Sequence, residues 1–147
     1  MTRKYAADDA NLNAAAIITS RRKDYVDLNL YFEANTSTKD IYLSKDAQAV
    51  KQSVRNLILT NHNEVPFRPN QGANIRALLF ENIGSFAAIQ AKSAIASAIA
   101  NTEPRAQVLD INVNFNEDGN SAAITIEFQV RTTQEQVTLA IQLKRLR

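Results

Sequence analysis

The sequence predicts an α+β fold: an antiparallel sheet with a C-terminal three-stranded meander, covered by two or three helices and preceded by an N-terminal extension. Three observations carry this. The last third of the chain holds three runs in which apolar and polar residues alternate, the period of strands with one buried face. The middle changes to a helical period, and residues 1–22 show no sustained period at all. With 147 residues, 45% of them apolar, the chain is long enough for one domain that buries roughly 68–70% of its unfolded surface. The expected division is an arm, 1–22, and a single domain, 23–147.

The arm mixes Ala, Asn and Asp, and its few large apolar residues, Tyr5, Leu12, Ile17 and Ile18, are too sparse to order it alone. Val26, Leu28, Leu30 and Phe32 then alternate with Asp27, Asn29, Tyr31 and Glu33, which predicts a strand burying the first set. Asn35-Thr36-Ser37-Thr38 reads as a turn, with Asp40 to Leu43 returning as a short strand. From Asp46 the apolar positions Val50, Val54, Leu57 and Ile58 share one helical face, and Ser44 or Asp46 supplies an N-cap. Asn61-His62-Asn63-Glu64 closes this helix, because Asn tolerates left-handed backbone.

Val65-Pro66-Phe67-Arg68-Pro69 cannot be helical throughout, and Gly72 permits a turn before a short helix bearing Ile75, Leu78, Leu79 and Phe80. A third helix runs from Phe86 to about Asn101 with Ser85 as its cap; its seven alanines allow close packing, and Pro104 stops it. The strands follow: Leu109, Ile111, Val113, Phe115; then Ile124, Ile126, Phe128, Val130; then Val137, Leu139, Ile141, Leu143. Asn116 to Asn120 and Arg131 to Glu135 are short enough to join them as antiparallel hairpins.

Composition removes several function classes. There is no Cys and one His, His62, so thiol catalysis, disulfides and Cys/His zinc sites are out. No signal peptide or membrane span is expected, since the Ala-rich stretch from Ser85 to Ala100 is interrupted by Gln90, Lys92, Ser93 and Ser97. The net charge is only +2. The basic residues gather at the termini, in Arg21, Arg22 and Lys23 and in Lys144, Arg145 and Arg147, without interleaved aromatics, which argues against nucleic acid and suits a solvated face or an acidic partner. No Gly-rich phosphate loop is present, and His62 lacks the partners of a nucleophilic triad. Glu64, Glu81 and Glu103 lie near loops and are the remaining catalytic candidates. A glycosidase needs two such carboxyls about 5–5.5 or 6.5–9.5 Å apart, and no spacing in the chain marks a pair.

Four segments in order are more specific: Ala49-Val50-Lys51-Gln52-Ser53-Val54-Arg55-Asn56-Leu57-Ile58-Leu59-Thr60, Pro66-Phe67-Arg68-Pro69-Asn70-Gln71-Gly72, Leu79-Phe80-Glu81-Asn82, and Glu103-Pro104-Arg105. Together they resemble the baseplate wedge family of contractile-tailed phages and its type VI secretion counterpart TssE, a family often labelled lysozyme-like. The resemblance spans roughly residues 45–143 and departs at Asn63, Val65 and Gln71, where members often carry Gly, Arg and an aromatic. It implies a non-enzymatic structural subunit of the virion tail baseplate, made in the host cytoplasm, present in sixfold copies, with no cofactor or metal. Its implied partners are other wedge subunits, the tail sheath protein, and tube or hub proteins, with neither nucleic acid nor membrane; the alternative is a peptidoglycan-degrading lysozyme-like enzyme.

Two partner-binding segments are expected. Glu103, Pro104 and Arg105 form a fixed bend whose charges meet neighbouring wedge subunits. The last strand, Val137, Thr138, Leu139, Ala140, Ile141, Gln142 and Leu143, followed by Lys144 and Arg145, lacks inward charges or Pro along its edge and offers that edge to the sheath.

Overall fold

The structure is a computed structural model that describes residues 24–80, 85–116 and 121–145. The arm at 1–22, Glu81, the centre of the Asn116 to Asn120 turn and the Ser85 side chain lie outside the described residues. The elements are β1 (Val26–Leu28), β2 (Leu43–Lys45), α1 (Asp46–Leu59), α2 (Ile75–Leu78), α3 (Ser85–Thr102), β3 (Ala106–Asn116), β4 (Ser121–Val130) and β5 (Gln136–Lys144). The predicted meander is present as an antiparallel three-stranded sheet in the order β3-β4-β5. Its inner face, centred on Ile124, Ile126, Phe128 and Val130 of β4, is fully buried. Helix α3 packs against β3, and α1 against β4 and β5.

The strand parity is as expected in β4 and β5 and shifts in β3. Ala106 is buried and Val108 half-buried, but a bulge between Val108 and Asp110 puts two residues where one would pair, so that Leu109 points out and Ile111 resumes the inner face.

The N-terminal hairpin departs further. Only Val26–Leu28 pairs with Leu43–Lys45, followed by a single bridge from Ala34 to Ile41, and the predicted inner face is turned outward: Val26, Leu28 and Phe32 are 48%, 57% and 64% exposed. The opposite face is taken inward because Tyr25 packs on the core and Asp27 reaches an arginine beneath it. The N-cap position of α1 falls on Lys45, between the two predicted caps, and makes no side-chain cap bond. Asp46 instead tethers β1, its backbone N–H donating to the Tyr25 carbonyl (2.7 Å) and its Oδ1 accepting from the Tyr25 N–H (3.2 Å); Ser44 donates to Gln52 Oε1 (3.1 Å).

Helix α1 ends at Leu59 with Thr60 as its C-cap, earlier than the asparagine cluster, and the left-handed step at Asn63 (φ 65°) belongs to the loop beyond it. This loop folds back on the helix end: Asn63 N–H donates to Pro69 O (2.8 Å), and His62 Nε2 lies 3.2 Å from Gly72 O. Gly72 has φ 111°, and a β-carbon there would strike the Thr60 carbonyl. Gly72→Ala is therefore expected to lower unfolding free energy by about 1–3 kcal/mol through strain at this contact, read as a lower midpoint in urea without a change in slope.

Candidate assembly site

The end of α3 builds the first of the two predicted segments. The Glu103 N–H still donates to Ile99 O (2.8 Å), completing the last helical turn, and Pro104 then prevents continuation. The bend turns the Glu103 side chain inward, and at 5% exposure it is the one buried charged residue among those described.

A buried carboxylate is tolerated only when its oxygens are satisfied. Ser53 of α1 donates its hydroxyl to Oε2. Arg105, two residues on, closes a fork on the same group, Nε to Oε1 at 2.7 Å and one terminal nitrogen to Oε2 at 2.8 Å. The other terminal nitrogen of Arg105 donates to both oxygens of Asp27 on β1, at 2.9 and 3.2 Å. The Tyr25 ring lies 5.4 Å below the guanidinium carbon. Burial pushes the Glu103 carboxyl up, but the Arg105 and Ser53 hydrogen bonds and the Arg105 charge outweigh it, and the group is held below its usual value. Arg105 is raised further above its own ordinary value by its bond to Glu103, against a burial penalty, with Asp27 adding to the effect.

Asp27, Tyr25 and Ser53 were not legible as partners of this bend. They stand 78, 80 and 52 positions from Arg105, and no local pattern marks them. Of the other carboxylate candidates, Glu64 is exposed and accepts the Asn61 N–H (2.8 Å) and side-chain amide (2.6 Å), which hold its carboxyl below the usual range with help from the Arg76 charge. Among the described residues no cluster of His, Cys, Asp or Glu has the arrangement of a metal site, and no helix is long and apolar enough to cross a membrane.

The second segment is β5. Leu139, Ile141 and Leu143 are buried, Val137 is half-buried, and Thr138, Ala140, Gln142, Lys144 and Arg145 are exposed. Among the described residues no strand pairs with its outer edge. Nor does β5 carry a bulge; its register with β4 is unbroken from Gln136 to Lys144. The other edge, β3, is interrupted by its bulge, beside which Lys92 of α3 pairs with Asp110 at 3.2 Å.

Residues 44–135 match the family model of the baseplate wedge protein gp25. The chain belongs to that family. It is 33% identical over 92 residues to the baseplate wedge protein gp25 of Enterobacteria phage T4, an alignment covering 63% of this chain and 70% of the phage protein. The same fold occurs in a crystal structure of a Geobacter sulfurreducens protein named as a tail lysozyme (24% identity, TM-score 0.64, 73% of this chain and 97% of the other). It also occurs in a chain of the anti-feeding prophage baseplate (19% identity, TM-score 0.58, 87% and 90%). This baseplate wedge protein is thus a component of contractile-tail baseplates, and its family match begins within β2, leaving β1 of the outward-facing hairpin outside it.

Removing the Glu103 charge leaves Arg105 with half its partners. Glu103→Gln is expected to cost about 3 kcal/mol at neutral pH in urea unfolding. Because the folded carboxyl is held low, the wild-type advantage is full above the unfolded value near 4.3 and drains as pH falls through the folded value, so the two proteins converge in acid.

Proposed function

We propose that this protein is a structural wedge subunit that binds neighbouring wedge proteins and initiates tail sheath assembly, with residues 23–147 acting as one domain. The observation that carries the reading is the outer edge of β5: regular, unpaired among the described residues, and borne by a strand whose inner face is already committed to the core. A strand added there recovers backbone hydrogen bonds worth about 0.5–1.5 kcal/mol each. Several in register make an attachment able to resist tension.

The Glu103-Pro104-Arg105 bend serves the wedge contacts. Pro104 is exposed, while Arg105 is fixed from two sides by Glu103 and Asp27, so the bend presents a rigid shape to a neighbouring subunit. Tube or hub proteins complete the surroundings, and the subunit stands in six copies around the baseplate. The protein acts without catalysis. Glu103 is held ionised and occupied by Ser53 and Arg105, the reverse of the raised, proton-bearing carboxyl that a glycosidase acid requires.

Thr138→Pro or Ala140→Pro, retained only where the thermal melt matches the wild type, is expected to give complete wedges that fail to polymerise sheath. Amide exchange supplies a check without mutation: alternate β5 amides should gain protection when sheath joins the baseplate. Normal sheath on edge-blocked, folded subunits would defeat the reading. Arg105→Ala is expected to lower wedge assembly, and the purified chain is expected to release no peptidoglycan fragments above a buffer control.

A further inference from the structure

Two cavities of about 570 Å³ each share Arg55 of α1 as a lining residue. One is bordered by Leu139, Lys45, Lys51 and the aromatic rings of Tyr31 and Tyr42. The other is bordered by Arg76, Phe80 and the consecutive residues Ala140 to Arg145. Consecutive residues of a strand point to opposite faces, so a cavity touching all of them runs along the strand's edge rather than over one face. The second cavity is therefore a trough beside β5, with α1 and the α2 segment as its far wall, and it adjoins the first, which reaches β5 at Leu139, through Arg55.

The charge of the joined cavities is one-sided. Lys45, Lys51, Arg55, Arg76, Lys144 and Arg145 border them, and among the described residues no Asp or Glu does. Among the described residues the ion pairs are Lys92–Asp110, Arg105–Asp27 and Arg105–Glu103, none of which uses these six cations. Arg76 sits in the field of Glu64, and Arg145 lies over the Phe80 ring at 4.8 Å. Like charges gathered along a concave wall repel one another and favour a ligand of opposite sign.

We propose that the trough beside β5 receives an acidic extended segment of another protein chain, whose backbone pairs with the strand edge while carboxylates on alternate residues meet Arg55, Arg76 and Lys144. This rests on β5 being an attachment edge and adds the chemistry of what attaches. Alternate residues of such a strand are about 6.6–6.8 Å apart and share one face, so one side of the segment is acidic. A nucleic acid supplies the charge but lacks the alternating N–H and C=O groups that the edge requires.

The test is an NMR titration of the labelled full chain with a nine-residue peptide of alternating Glu and Thr, beside versions carrying Gln or Lys in place of Glu. The expected result is shifts in β5 and α1 with the Glu peptide, weakening with salt, and at least about tenfold weaker binding of the Gln peptide. Arg55→Glu with Arg76→Glu, both at exposed positions, should reverse the preference so that the Lys peptide binds best, a result that damage to the fold cannot produce. Equal binding of Glu and Gln peptides, or no change of preference in the double variant, overturns the acidic assignment; if folded Ala140→Pro abolishes binding in that case, the edge reading alone survives. Binding that depends on charge but ignores Ala140→Pro overturns the strand pairing and with it the attachment edge. Shifts of the same residues by oligothymidylate at lower concentration than by the Glu peptide would assign the trough to nucleic acid instead.

Discussion

The guanidinium of Arg105 holds together elements that sequence separates. Its fork on Glu103 closes the end of α3, its remaining nitrogen fixes Asp27 on β1, and through Glu103 it reaches Ser53 on α1. Such a group has little freedom to be exchanged. Lysine is a point charge without the planar fork that engages two carboxylates at once, and an apolar residue would leave Glu103 buried and alone. The hairpin's inverted orientation follows from the same bond: once Asp27 is drawn to Arg105, strand parity sends Val26 and Leu28 outward whatever their hydrophobicity.

This is where the sequence was hardest to read. The meander, the α1 face of Val50, Val54, Leu57 and Ile58, and the stop at Pro104 were all legible, because each rests on a period or a backbone constraint contained within a few residues. The alternation from Val26 to Phe32 was equally clean and indicated the wrong face, since an ion pair between residues 78 positions apart decided it. The β3 bulge failed for a related reason. Leu109 fits the alternation from Ile111 onward, and only the pairing partner on β4 reveals the extra residue. Glu103 and Arg105 were visible as a motif, whereas the inward turn of Glu103 depends on Ser53, which carries no signal of its own.

Burial and exposure divide labour along β5. Its inner residues join the same core as Phe128 and Ile95, so the strand is anchored along its length rather than at one end. Force applied to an added strand would load the ladder in shear, across all its hydrogen bonds together, instead of peeling them in turn. The outward-facing residues Thr138, Ala140 and Gln142 are small or flexible and leave the backbone reachable.

The two margins of the sheet are unequal, and with β5 as the proposed attachment edge that inequality would set the valence of the subunit. The β3 margin is broken by a bulge, which disfavours further pairing, while the β5 margin is regular. A sheet open on both sides can grow without limit into a ribbon. One open on a single side can take one strand and stop, and two copies meeting through their β5 margins would form a closed pair with nothing left to extend. On the proposed reading of β5, the bulge at Leu109 would act as a terminator, letting a chain that offers one strand edge exist at high local concentration without polymerising with itself.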